Sequence, residues 1–134
     1  MKTIKTGVAI KKELADKLDE IMKYLHLKSR SKAISEAIEL YVAEKAALIG
    51  EGTLSGVILI LYDHTVRDID HKLIHTQHDY LDLILSSTHI HLDPKRCLEA
   101  IIVRGPINKI RDLIGSLARI KGVYAVRHAF FKSE

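Results

Sequence analysis

The chain has one cysteine, no tryptophan, two prolines and seven glycines in 134 residues. A lone cysteine rules out an intramolecular disulfide and fits a reducing compartment. So few prolines and glycines exclude a collagen-like or low-complexity chain. Long apolar runs are missing too. A stretch such as Gly56-Val57-Ile58-Leu59-Ile60-Leu61 is far below the ~20 residues that span a bilayer. The opening residues, Met1-Lys2-Thr3-Ile4-Lys5-Thr6, form no apolar signal region. The expectation is a soluble, cytoplasmic protein with no membrane partner. What is present is globular in composition: 47% hydrophobic and 28% charged residues. The length allows one ordinary domain or two small ones.

Charge is modest, +4 overall, but uneven. Residues 1–32 carry nine Lys/Arg against four acids, whereas the remainder sums to about neutral. A basic N-terminal third suits a polyanionic partner. Histidine is unusually frequent: seven of the eight lie beyond residue 60, and Cys97 falls among them.

Residues 3–10 alternate, with Ile4, Thr6, Val8 and Ile10 facing one way and Lys5, Gly7 and Ala9 the other. This predicts a short strand. Leu14, Leu18, Ile21, Met22 and Leu25 then recur at helical spacing, predicting a helix over 12–25. Ser29 is placed as the N-cap of a second helix. Its apolar face is Ala33, Ile34, Ala37, Ile38, Tyr41 and Val42, and it runs to about Leu48. A strand and two helices in about 48 residues cannot enclose a core alone. Two copies pairing their strands and packing four helices beneath them can, so this segment is expected to be an obligate dimer. The order, with Lys5–Ile10 followed by Ser29-Arg30-Ser31-Lys32-Ala33-Ile34 opening the second helix, resembles the ribbon-helix-helix DNA-binding module. That resemblance implies a paired ribbon in the major groove of double-stranded operator DNA. It also implies a phosphate gripped at the second helix N-terminus.

After a connector at 51–55 the pattern restarts. Strands are predicted at Leu54–Tyr62, Leu81–Leu92, Cys97–Val103 and Val123–Phe131. Helices are predicted over 65–80, with Val66, Ile69, Leu73 and Ile74 inward, and from Pro106 through Ala118. The order β-α-β-β-α-β is the ferredoxin-like arrangement. The fold class is therefore α+β, with residues 1–50 a ribbon-helix-helix domain and 51–134 a ferredoxin-like domain.

His89-Ile90-His91 puts two imidazoles on one face of a strand. Cys97 follows six residues later, across the Asp93-Pro94 turn. Two imidazoles and a thiolate suit nickel, copper or zinc and do not suit magnesium or calcium. A fourth donor is available from His71, His75 or His78, which share one helix face. His26 and His128 read as ordinary structural residues.

Tyr62-Asp63-His64, Gln77-His78, Thr88-His89-Ile90-His91-Leu92-Asp93 and Cys97-Leu98-Glu99 together resemble the nickel-responsive transcriptional regulators. These join a ribbon-helix-helix domain to an ACT-type domain. The resemblance implies a homotetramer, a dimer of dimers, with one square-planar nickel per subunit. The ligands it implies are His89, His91 and Cys97 of one subunit and His78 of another, supported by Tyr62, Gln77 and Glu99. His64 and His75 are left as accessory or surface residues. The DNA contacts it implies are at Lys5, Gly7, Ala9, Arg30 and Ser31, and Lys11 and Lys12, basic where some relatives are acidic, are expected to add phosphate contacts. Gly7 and Ala9 stand where relatives carry side chains that read bases, so Lys5, backbone contacts or DNA shape must serve. Lys32 stands where some relatives have an acid that helps to bind a cation between the domains. Expected function is a nickel-sensing repressor of nickel-uptake genes, not an enzyme. The alternatives are an ACT-type regulator responding to an amino acid, or a sensor of copper or cobalt.

Overall fold

The computed structural model describes residues 2–133, which divide into two compact units, Met1–Val42 and Ala43–Glu134. In the first, helix α1 (Lys12–Tyr24) is followed by α2 (Arg30–Ala46). His26 adopts a left-handed φ of 56° to turn the chain between them. Ser29 Oγ accepts the Lys32 N–H at 3.1 Å, the expected cap on the third helical amide. Arg30 grips Asp19 through two hydrogen bonds of 2.6 and 3.1 Å, tying the start of α2 back to α1.

The strand expected over 3–10 is not formed. Lys2–Lys11 has no ladder, and Ile4 and Val8 are exposed. The physical reason is that a ribbon strand needs a second strand for its backbone donors and acceptors, and no neighbouring segment of the same chain supplies one. Beside it, Ile10, Leu14, Leu18, Ile21, Ile34, Ala37, Ile38 and Tyr41 line an apolar groove of about 520 Å³.

The second unit is a four-stranded antiparallel sheet in the order β2-β3-β1-β4. Its strands are β1 (Thr53–Asp63), β2 (Ile84–His91), β3 (Arg96–Pro106) and β4 (Val123–Ser133). Helices α3 (Ile69–His78) and α4 (Ile107–Ala118) complete the expected β-α-β-β-α-β order. Alternation sorts each strand into two faces. On one face Leu54, Ile58, Ile60, Tyr62, Ile101 and Val103 meet Ile69 and Leu73 of α3 and Ile107, Ile110, Leu113 and Leu117 of α4. Ala47 and Leu48, just past α2, join this core. That packing explains why the break between units falls within α2 rather than in the 51–55 connector. On the other face Val57, Leu59 and Leu61 are only half-buried, and Ile90 and Ile102 are exposed.

Helix α3 is shorter than predicted. Asp63 Oδ1 accepts both the Thr65 N–H and its hydroxyl, at 2.9 and 2.6 Å. This local turn competes with helix. Asp68, at φ 64°, then redirects the chain before Ile69. Val66 consequently packs against the core from outside the helix, and Ile74, expected inward, is 68% exposed. Pro106 sits at the N-cap of α4 rather than in its first turn. Gly122, with φ 103°, turns the chain into β4 and accepts the Asp63 N–H.

Candidate metal centre

The sheet register assembles the site. Tyr62 on β1, Cys97 on β3 and His91 on β2 lie side by side across three strands. Ile60, Glu99 and His89 form the next row on the same face. The Cys97 sulfur is 3.0 Å from His91 Nδ1, and the His89 and His91 ring centroids are 5.1 Å apart. The hairpin between His91 and Cys97 is fixed by Asp93. Its carboxylate accepts the Lys95 and Arg96 backbone N–H groups and the Arg96 guanidinium at 2.7–2.9 Å. Those donors, the Arg96 amide first, hold its pKa down at about 2.

Burial governs the acidity of the central groups. It pushes the Cys97 thiol up, aided by the nearby Asp70 charge and opposed by the Tyr62 hydroxyl. The sulfur and His91 Nδ1 lie within hydrogen-bond distance at 3.0 Å. Burial raises Tyr62 as well, and its hydroxyl is hydrogen-bonded with His89 Nδ1 at 3.0 Å. Glu99, 8% exposed, is likewise raised by burial, with the Gln77 hydrogen bond acting against it. Gln77 Nε2 donates to Glu99 Oε1 at 3.0 Å, so α3 and β3 are joined beneath the histidines.

His64 enters where spacing did not put it. Its Nε2 donates to the Pro94 carbonyl, which leaves Nδ1 as the basic nitrogen. Its ring centroid is 5.4 Å from that of His91. Donor atoms of His64, His91 and Cys97 all lie within 4.8 Å of one another. Among the described residues this is the one such group of three. The signal was present in Tyr62-Asp63-His64, which carries the imidazole just past the end of β1 toward the Pro94 turn, where the His64 N–H meets Lys95 O.

A groove of about 530 Å³ opens from this cluster, lined by His64, His78, His89, His91, Tyr62, Asp70, Gln77 and Glu99. His78 stands on its wall at the end of α3, and neither it nor His89 belongs to the group of three. Two imidazoles converging on a buried thiol fit a borderline transition metal and not an oxygen-seeking cation.

The residues expected at DNA are in the first unit and all exposed: Lys5, Gly7, Ala9, Lys11, Lys12, Arg30 and Ser31. Two of them already have partners. The Lys12 ammonium is 2.8 Å from Asp16, a solvent-exposed pair that costs little to open. Arg30 is held by Asp19 as described, and the hydrogen bonds to that carboxylate push its pKa up further. No helix among the described residues is long and apolar enough to cross a membrane.

Comparison with known proteins places these features. The family model described as "NikR C terminal nickel binding domain" matches residues 55–130. Proteins named as candidate nickel-responsive regulators align over most of the chain. One from Thermococcus kodakarensis is 36% identical over 123 residues, 92% of this chain and 89% of that protein. One from Pyrococcus furiosus is 37% identical over 123 residues, with the same coverage. One from Dictyoglomus turgidum is 36% identical over 122 residues, 91% of this chain and 90% of that protein. Among solved structures, an uncharacterized protein of Thermotoga maritima shares the fold with a TM-score of 0.52 at 15% identity. It is matched over its whole length and 62% of this chain.

Proposed function

The chain belongs to the nickel-responsive regulators, and from that premise we propose that it is a nickel-dependent DNA-binding repressor of nickel-uptake genes. The observation that supports the site is the placement of His91 beside the buried Cys97 sulfur, with His89 two residues along the same strand and on the same face; His64, the third member of the compact group, is kept as an accessory donor. We assign nickel, one per subunit, to Cys97, His89 and His91, with His78 contributed by another copy of the chain. His78 lines the same groove as His89 and His91 yet stands outside the cluster, which is consistent with a donor that completes the site of a neighbour.

When bound, the ion supplies a cross-link between donors on different elements. The protein's own groups prepare for it. Cys97 surrenders its proton on binding, so affinity rises with pH. Tyr62 fixes the His89 ring, and the Gln77–Glu99 hydrogen bond holds α3 against β3. Glu99 is thereby an orienting group rather than a general base, which supports a regulator and not an enzyme.

Assembly follows from two separate apolar surfaces. The groove of the first unit suits a second copy whose residues 3–10 pair with its own, completing a ribbon-helix-helix dimer. The uncovered face of the sheet, with Val57, Leu59, Leu61, Ile90 and Ile102, suits another. Two different self-complementary surfaces on one chain generate a dimer of dimers. In that homotetramer residues 1–50 bind operator DNA through Lys5, Lys11, Lys12, the backbone at Gly7 and Ala9, and the start of α2 at Arg30 and Ser31. Residues 51–134 form the ACT-type centre. Operator binding places the protein's work in the cytoplasm.

The test is operator affinity with and without nickel. The reading requires a tightening of about 5–150-fold, the usual range of coupling between sites, that disappears in Cys97→Ala. Equal affinity in both conditions defeats it.

A further inference from the structure

Helix α3 has a second working face. Gln77 and His78 look into the metal groove, whereas His71, Lys72 and His75 line a separate cleft of about 490 Å³. The opposite wall is the end of α4 and the residues after it, with Arg119 and Lys121. The hydroxyls of Thr76 and Ser116 complete the polar lining, and no carboxylate takes part. None of Lys72, Arg119 or Lys121 makes an ion pair among the described residues, where seven such pairs occur elsewhere.

One of the cations is held in place. The Arg119 guanidinium lies back along α4, with one nitrogen 3.4 Å from Ser116 Oγ and the other 3.3 Å from where a side chain on Gly115 would begin. Gly115 leaves the space in which that guanidinium rests. Ser116 Oγ is also 3.4 Å from the Tyr80 hydroxyl, so the hydroxyl that holds Arg119 is itself fixed.

The paired histidines invite a metal, but the surroundings argue against one. Their rings are nearly parallel, with centroids 6.2 Å apart, and they belong to no group of three converging donors. Three neighbouring cations repel a further one. The same set offers an anion the charge of two ammoniums and a guanidinium, with hydrogen-bond donors from the imidazole N–H groups and hydroxyls.

We propose that the cleft between α3 and α4 binds a tetrahedral oxyanion, free phosphate or the phosphate group of a small molecule. Arg119 supplies a planar fork, Lys72 and Lys121 supply charge, and the imidazoles and hydroxyls supply further donors. An anion held there draws α3 and α4 together. Because α3 also carries Gln77 and His78, any consequence for nickel rests on the functional reading above; the binding itself does not.

The experiment is a titration of the full chain with inorganic phosphate, by calorimetry and by NMR of the His71 and His75 rings. Saturable binding with a Kd on the order of 1 mM is expected, with slower amide exchange across residues 69–78. Lys72→Ala with Arg119→Ala should weaken it at least tenfold at an unchanged melting temperature. Gly115→Ala, which displaces the guanidinium, should weaken it less. Absence of saturation, or equal binding by the double variant, overturns the proposal. So does random-sequence duplex DNA that competes with phosphate and loses affinity equally in the double variant, since the phosphate is then that of a nucleic acid. A chain that binds phosphate but no nickel overturns the functional reading and leaves the cleft standing.

Discussion

The two units of this chain differ in whether they can hide their own apolar surface. In the sheet unit, fourteen or more aliphatic and aromatic side chains close a core between one sheet face and two helices. Among the described residues of the N-terminal unit only Ala33 is buried, while Leu14, Ile21, Ile38 and Tyr41 are each more than half exposed. Each has one strongly amphipathic helix, α1 in the first unit and α4 in the second, so the contrast does not come from a lack of apolar faces. It comes from layers: two helices and an unpaired extended segment have no third surface to cover them. A unit of that kind gains most from a second surface over its groove, so the assembly proposed above bears on this unit first.

Replacing leucines in each unit breaks or sharpens that contrast. Leu113→Ala, inside the sheet core, is expected to cost about 2–5 kcal/mol by chemical denaturation. Leu14→Asp tests the other side. A side chain that stays in water tolerates the change within about 0.5 kcal/mol. One covered by a second copy does not. We expect the tetramer to fall in sedimentation to a dimer held by the sheet face, and at least a hundredfold loss of operator affinity, with the sheet unit melting as before. An unaltered sedimentation profile would show that the N-terminal unit stands alone after all.

A smaller effect separates the units by pH. Asp93 is held at about 2 by the amides and guanidinium of its turn, against about 3.9 in an unfolded chain. Its contribution is therefore fully present above about pH 4 and is lost as pH falls toward 2. Acid titrations of wild type and Asp93→Asn should converge at the acid end and diverge above it, in probes of the sheet unit only. The smallest expected change lies in the N-terminal unit: Lys11→Ala should reduce the salt dependence of DNA binding by about one unit of log–log slope. An unchanged slope removes Lys11 from the DNA contacts.

The same contrast governs what could be read in advance. Ile58, Ile60 and Tyr62, or Ile110, Leu113 and Leu117, announce their elements because one chain satisfies them, and the β-α-β-β-α-β order follows. The length of α3 was misjudged because Val66 and Ile74 fit a helical period that the Asp63 turn and Asp68 interrupt. His89, His91 and Cys97 were legible from spacing across one hairpin. His64 was not, because its neighbour is a carbonyl thirty residues away in the turn between β2 and β3. His78 rests on family resemblance, since within one chain it lines the groove without joining the group of three. The strand over 3–10 was visible as alternation, but a ladder requires a second strand from outside.

The account stands or falls on the sulfur of Cys97 and the imidazoles beside it. The most direct measurement is the absorption spectrum of the nickel-loaded full chain beside that of Cys97→Ala. Thiolate ligation predicts a sulfur-to-nickel charge-transfer band in the wild type that is missing from the variant. Identical spectra at equal nickel loading would contradict it.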